Sequence, residues 1–331
     1  MFDFLHNNPL ADRVRVARLR FTPFRLILVF FLVMVIAEFI ATVPQSLYIS
    51  YRILLEMGPG VFLGASGGDT DAFLTETAEL TNALMGEDVA ILIALFSSVI
   101  VIFSVLIFCR FIERRPLASM GLSINRSAPL SLATGALLGV AMFGIAFLIA
   151  YGMGGVMVTD GVPHPGRMIL YLFGFFVEAI SVELLFRGFL MLSLCNSTTP
   201  GKAVCLSALM FALFAGGSAG STLLGFANLF FLGVFLGLLV FRAKSLWISV
   251  ALYAMWCFME GNVFGTSVGG IWPKTSILVS TPVEGHNLTN GGVFGPEASL
   301  AVSAVLLISL VVLWALSGKQ LTEPSDTQSY L

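Results

Sequence analysis

Charge is what this sequence has least of. Of its 331 residues, 11% are Asp, Glu, Lys or Arg, 57% are hydrophobic, and mean hydropathy is +0.96. An ordinary soluble domain carries roughly 25% charged residues. So little polar side chain cannot cover a water-soluble globule of this length. A soluble enzyme and a disordered chain are excluded, and a polytopic membrane protein remains. The net charge of −2, from 17 basic and 19 acidic residues, excludes a nucleic-acid partner, which would require a basic patch. Histidine is scarce: His6, His164 and His286 all lie outside the apolar runs. Cys109, Cys195, Cys205 and Cys257 show no CxxC spacing and sit in or at the ends of apolar runs. They read as small core residues, neither a disulfide framework nor a zinc site. With no HExxH and no His or Cys cluster at ligand spacing, no metal and no cofactor are expected.

What the chain has in abundance is apolar sequence. Eight runs approach the roughly 20 residues needed to span a bilayer: 24–43, 89–109, 129–151, 168–194, 203–215, 221–241, 246–263 and 297–317. The fold class expected is therefore all-α, a polytopic membrane bundle of about eight helices. The first run has no small-x-small cleavage site after it and reads as an uncleaved span. Thirteen of the 17 Lys and Arg fall in the N-terminal arm and in alternate loops, against Arg52, Arg167 and Lys274 on the other side. That bias places both termini in the cytoplasm and the protein in the plasma membrane. Loops 44–88 and 264–296 are then outside. The first is acidic, with amphipathic helices expected around 46–57 and 71–85, and the second is rich in Gly, Ser and Thr. The tail from Glu323 is expected to be disordered.

Ionisable residues at membrane depth cost at least about 2.5–3.5 kcal/mol and each asks for a reason. The fourth run holds three, Glu178, Glu183 and Arg187. Glu183 and Arg187 are four apart with the acid first, the favourable order for a helical ion pair. They lie about 40° apart on one face, whereas Glu178 is about 140° from Glu183. Glu38 and Glu260 are the other acids at depth.

The order of motifs around these charges resembles the CPBP family, the CAAX-protease and bacteriocin-processing intramembrane endopeptidases. VELLFRGFL at 182–190 is similar to the family's EExxxR motif, MFALFAGG at 210–217 to FxxxH, and ISVALYAMWCFMEG at 248–261 to HxxxN. ERRPLASMGL, FANLFFLGVFLGLLVFRAKSLW, FGTSVGG and GGVFGPEASL resemble flanking segments, so the likeness runs over about 110–317. It divides the chain into an N-terminal unit (1–109), a CPBP-like core (110–317) and a tail (318–331). The resemblance implies peptide-bond hydrolysis in a membrane cavity, by a Glu-activated water assisted by two histidines and an asparagine.

At those positions this chain has other residues. The first Glu is Val182, the two histidines are Ala215 and Tyr253, and the asparagine is Cys257, while Glu183, Arg187 and Phe211 survive. Adjacent helical residues point roughly 100° apart, so Glu183 can serve the Arg187 face as scaffold while Val182 occupies the reacting face. The resemblance therefore implies a family member impaired in catalysis, binding a peptide, a prenylated or otherwise lipidated protein, or a partner in the former cavity, with membrane lipid around it. Two alternatives stay open. One is an active endopeptidase with a rearranged site, for which Glu178, one turn before Val182, is the displaced acid. The other is a small-molecule or ion transporter.

Overall fold

The computed structural model describes residues 3–5, 8–14, 21–58, 70–123, 126–217 and 222–317. Each apolar run becomes a helical segment: α1 (Pro23–Met57), α2 (Asp88–Ile112), α3 (Ala128–Gly152), α4 (Pro165–Leu194), α5 (Pro200–Ala215), α6 (Leu223–Ala243), α7 (Trp247–Phe258, continued at Met259–Val263) and α8 (Leu300–Ser317). Among the described residues six of them, all but α5 and α7, are long and apolar enough to cross a membrane. The 16 residues of α5 reach about 24 Å at 1.5 Å per residue, short of a hydrocarbon core of about 30 Å. The expected bundle is thus six full-length helices with two shorter apolar ones packed among them. Large apolar side chains such as Phe24, Phe39 and Leu130 are fully outward-facing, as lipid rather than water requires.

Local sequence sets the helix ends. Proline opens α1, α3, α4 and α5 within the first turn, where its missing N–H costs nothing. The Thr222 hydroxyl caps α6 by accepting from the Gly225 N–H at 3.1 Å. Pro44 does not end α1, which runs on to Met57. The separate amphipathic helix expected at 46–57 is therefore the continuation of α1, whereas the one expected at 71–85 is a distinct helix, Thr70–Met85. The all-α reading gains one addition: strands β1 (Val156–Asp160) and β2 (Leu278–Pro282) pair antiparallel, Val156 opposite Pro282. The tail 318–331 lies outside the described residues.

α4 is the axis of the molecule. Every residue from 181 to 195 is buried, and over Leu184–Met191 the backbone opens into a π-helical turn. Three aromatic contacts fasten neighbours to that turn: Phe30 of α1 to Phe186 (5.3 Å), Phe108 of α2 to Phe189 (5.1 Å) and Phe211 of α5 to Phe186 (5.5 Å). α7 is held against α3 by backbone approach. A Cβ at Gly135 would collide with the Ile248 carbonyl oxygen, and one at Gly139 with that of Leu252, the small-residue packing that lets membrane helices meet closely.

Two polar knots tie the ends of this core. Asp88 accepts from Arg167 (2.9 Å), Tyr171 (2.8 Å) and Thr275 (2.6 Å), joining α2 and α4 to the 264–296 segment. Arg115, one of the basic residues of the loop between α2 and α3, is 0% exposed. It donates to the Gly188 carbonyl at 2.8 Å and to Ser193 Oγ at 3.1 Å, with Glu113 3.5 Å away. The cysteines are all free. Cys109, Cys195 and Cys257 are buried as expected, but Cys205 is exposed. It sits on the outward side of α5, so the core reading is corrected there.

Candidate functional site

The π turn of α4 aims the surviving pair inward. Arg187 Nη1 lies 2.9 Å from Glu183 Oε1, and both side chains are 0% exposed. The guanidinium also lies 4.5 Å above the Phe211 ring and donates through Nη2 to the Gly233 carbonyl at 3.4 Å. That last bond depends on glycine, because a Cβ at Gly233 would stand 2.9 Å from Ala208 and force α6 away from α5. Arg187 thus joins α4, α5 and α6 through one planar cation, a use of the guanidinium fork and face that lysine cannot reproduce.

Two of the positions that differ from the motifs, Tyr253 and Cys257, lie close to this pair. The Phe211 ring meets Tyr253 of α7 edge-on, with centroids 6.0 Å apart. Tyr253 is half-buried and stands in electrostatic reach of Glu183 and Glu178. Cys257, one turn further along α7, is buried and in electrostatic reach of Tyr253. Val182 is in the same hydrophobic core, and Ala215, half-buried at the end of α5, packs against it. Of the residues singled out from sequence, Glu183, Arg187, Phe211, Tyr253 and Cys257 therefore form one connected set. Glu178, half-buried, approaches it electrostatically from one turn below, and Glu38 of α1 is within reach of Glu178. Among the described residues there is no group of three or more His, Cys, Asp or Glu placed to hold a metal ion.

Chemically, the arrangement offers one carboxylate already neutralised by its cation, one phenol and one thiol. A general base must reach the proton it abstracts and be unencumbered. Glu183 is committed to Arg187, and Val182 and Ala215 have nothing to offer. Activating the Cys257 thiol would take a nearby base or cation, and no histidine among the described residues lies within a helix. Two participants were not singled out from sequence. Arg115 supports the π turn through Gly188, and its place in a basic loop hid it among solvated charges. Glu297, in FGPEASL, stands at the mouth of α8 and is 8% exposed. The signal that could have found it is an acid directly beside an apolar run.

Residues 164–259 match the family model described as Rce1-like, type II CAAX prenyl endopeptidase. No curated protein matches the chain. The matched stretch comprises α4, α5, α6 and most of α7, the elements that carry Val182, Glu183, Arg187, Phe211, Ala215, Tyr253 and Cys257. The chain is thus a multi-pass helical membrane protein whose residues 164–259 are similar to Rce1-like type II CAAX prenyl endopeptidases.

Proposed function

We propose that this protein holds a lipidated or strongly apolar peptide in the region where the family it resembles carries out hydrolysis, and does not cleave it. The observation that carries the reading is the closed Glu183–Arg187 pair, 2.9 Å apart and wholly buried, linked through Phe211 to Tyr253. The scaffold of the site persists while the groups that would activate water are replaced. A groove of about 340 Å³ between α3, α4 and α7, lined by Leu132, Ala133, Ala136, Phe176, Ala251 and Met255, has the chemistry of a prenyl- or acyl-chain seat. The test is binding of a fluorescent farnesylated CAAX-type peptide to protein in nanodiscs. The unprenylated peptide should bind at least about tenfold more weakly, since each buried CH₂ contributes about 0.8 kcal/mol. Equal binding of both peptides would contradict the reading.

A second reading rests on Glu178, whose carboxyl is in electrostatic reach of both Tyr253 and Cys257. In that reading it serves as a displaced base, and the protein is an endopeptidase with a rearranged site. The carboxyl belongs to a residue about 6 Å along the helix from Val182, and misplacement by even about 1 Å can cost a hundredfold in rate, so the binding reading is preferred.

The protein is proposed to lie in the plasma membrane, and the Lys and Arg distribution supports an orientation with both termini cytoplasmic. Single cysteines introduced on a cysteine-free background at Leu117 and Leu288, 40% and 64% exposed, should label from opposite sides of the membrane. Labelling from the same side would contradict this orientation.

A further inference from the structure

The end of α7 and the entry to α8 bring together two acids that lie beyond the Glu183–Arg187 pair. Glu260 sits in a second π-helical turn, Met259–Val263, and is 0% exposed; Glu297, in the turn Pro296–Ala298, is 8% exposed. Neither Glu260 oxygen, nor Oε2 of Glu297, has a donor in hydrogen-bonding geometry. What each carboxyl faces is the other. The remaining neighbours supply no counter-charge. Trp256, Tyr253, Cys257 and Glu178 are in electrostatic reach of one or both acids. α3 and α8 contain no charged side chain, and the one on α6, Arg242, is at that helix's far end.

The backbone at both positions is firmly held. The Glu260 carbonyl accepts from the Thr266 N–H (2.9 Å) and hydroxyl (2.8 Å), and the Glu297 carbonyl accepts from Asn228 Nδ2 of α6 at 2.7 Å. Beside them Gly295 has φ of +121°, and a Cβ there would stand 2.6 Å from the Ser267 carbonyl oxygen and 3.0 Å from Glu297 Oε2. The glycine lets the chain fold the Glu297 side chain back toward Glu260. These two acids also bracket one segment: 264–296 leaves the bundle after the turn that carries Glu260 and returns at Glu297.

Two buried carboxylates that interact with each other and have no cation are disfavoured in the doubly ionised state, whereas one proton between them makes a strong O–H···O⁻ bond. We propose that Glu260 and Glu297 form a proton-binding site that fastens both ends of the 264–296 segment to the helical core while they share a proton. Burial pushes the Glu297 carboxyl up from the ordinary 4.5 to about 7. A raised carboxyl binds its proton more tightly in the fastened state, so fastening is complete below about pH 4.5 and is lost as pH rises toward 7.

The experiment is hydrogen exchange of the full-length protein in nanodiscs between pH 5 and 8, corrected for the intrinsic pH dependence of amide exchange. Protection of segment 264–296 should fall about tenfold per pH unit between pH 5 and 7 and then level off, while α4 protection stays constant. Glu260→Gln and Glu297→Gln replace the shared proton by a carboxamide N–H, so either variant should stay fastened with a flat profile. The wild-type slope is read without any variant, so it decides the matter even if a substitution perturbs folding. A flat wild-type profile would overturn the proposal, as would an unchanged slope in well-folded Glu260→Gln. Protection restored at pH 8 by sodium or calcium ions would instead show a metal-cation site and overturn it equally.

Discussion

Arg187→Leu should cost about 3–5 kcal/mol of stability, because it strands the Glu183 carboxylate at 0% exposure with no other cation beside it. The loss extends beyond charge. The same side chain stacks on Phe211 at 4.5 Å and bonds the Gly233 carbonyl, so α4, α5 and α6 loosen together. Arg187→Lys keeps the charge but gives up the planar face and the second bond, and should recover only part of the stability. The double change Glu183→Leu with Arg187→Leu should be less damaging than the sum of the single changes, because neither partner is left as an uncompensated charge. Thermal unfolding in detergent, followed by tryptophan fluorescence, measures these variants and Glu183→Leu alone against the wild type. Additive losses would show that the pair does not act as one unit.

The second large effect is expected from a single methyl group. Gly139→Ala places a Cβ into the Leu252 carbonyl oxygen and 3.0 Å from the Met255 Cβ. Neither neighbour is the free end of a flexible side chain, so α7 must move away from α3. Overpacking of this kind costs about 1–3 kcal/mol. It also shifts Tyr253 and Cys257, which ride on the same helix, so peptide binding should weaken along with stability. Gly144 lies on the same helix with nothing within 4 Å of a Cβ. There alanine should be neutral or slightly stabilising, since it is the better helix former by about 1 kcal/mol. Similar unfolding temperatures for the two alanine variants would contradict the close α3–α7 approach.

Much of this architecture is legible in the sequence because a membrane demands it. Long apolar runs with proline at the first turn can only be helices in lipid. The third and fourth, read as 129–151 and 168–194, are Ala128–Gly152 and Pro165–Leu194. The Glu183–Arg187 pair is equally legible, since spacing of four within a helix fixes a common face.

Other features have no local signal. The π turn at Leu184–Met191 changes which side chains share a face without any residue type announcing it. Pairing of β1 with β2 joins residues more than a hundred apart, which no periodicity reveals. Arg115 looks like any other basic loop residue until the fold brings the Gly188 carbonyl to it. Glu297 sits at the edge of an apolar run, where sequence alone does not distinguish a solvated acid from one turned inward. Charges at helix ends are therefore where reading by composition fails first, because burial there is decided by the neighbouring segment.

The central claim, a protease-like scaffold that binds without cleaving, is tested most directly by incubating the purified protein with a farnesylated CAAX-type peptide in nanodiscs and following the peptide by mass spectrometry. The peptide should be bound and recovered intact. Cleavage that disappears when Glu178 is changed to Gln would contradict it.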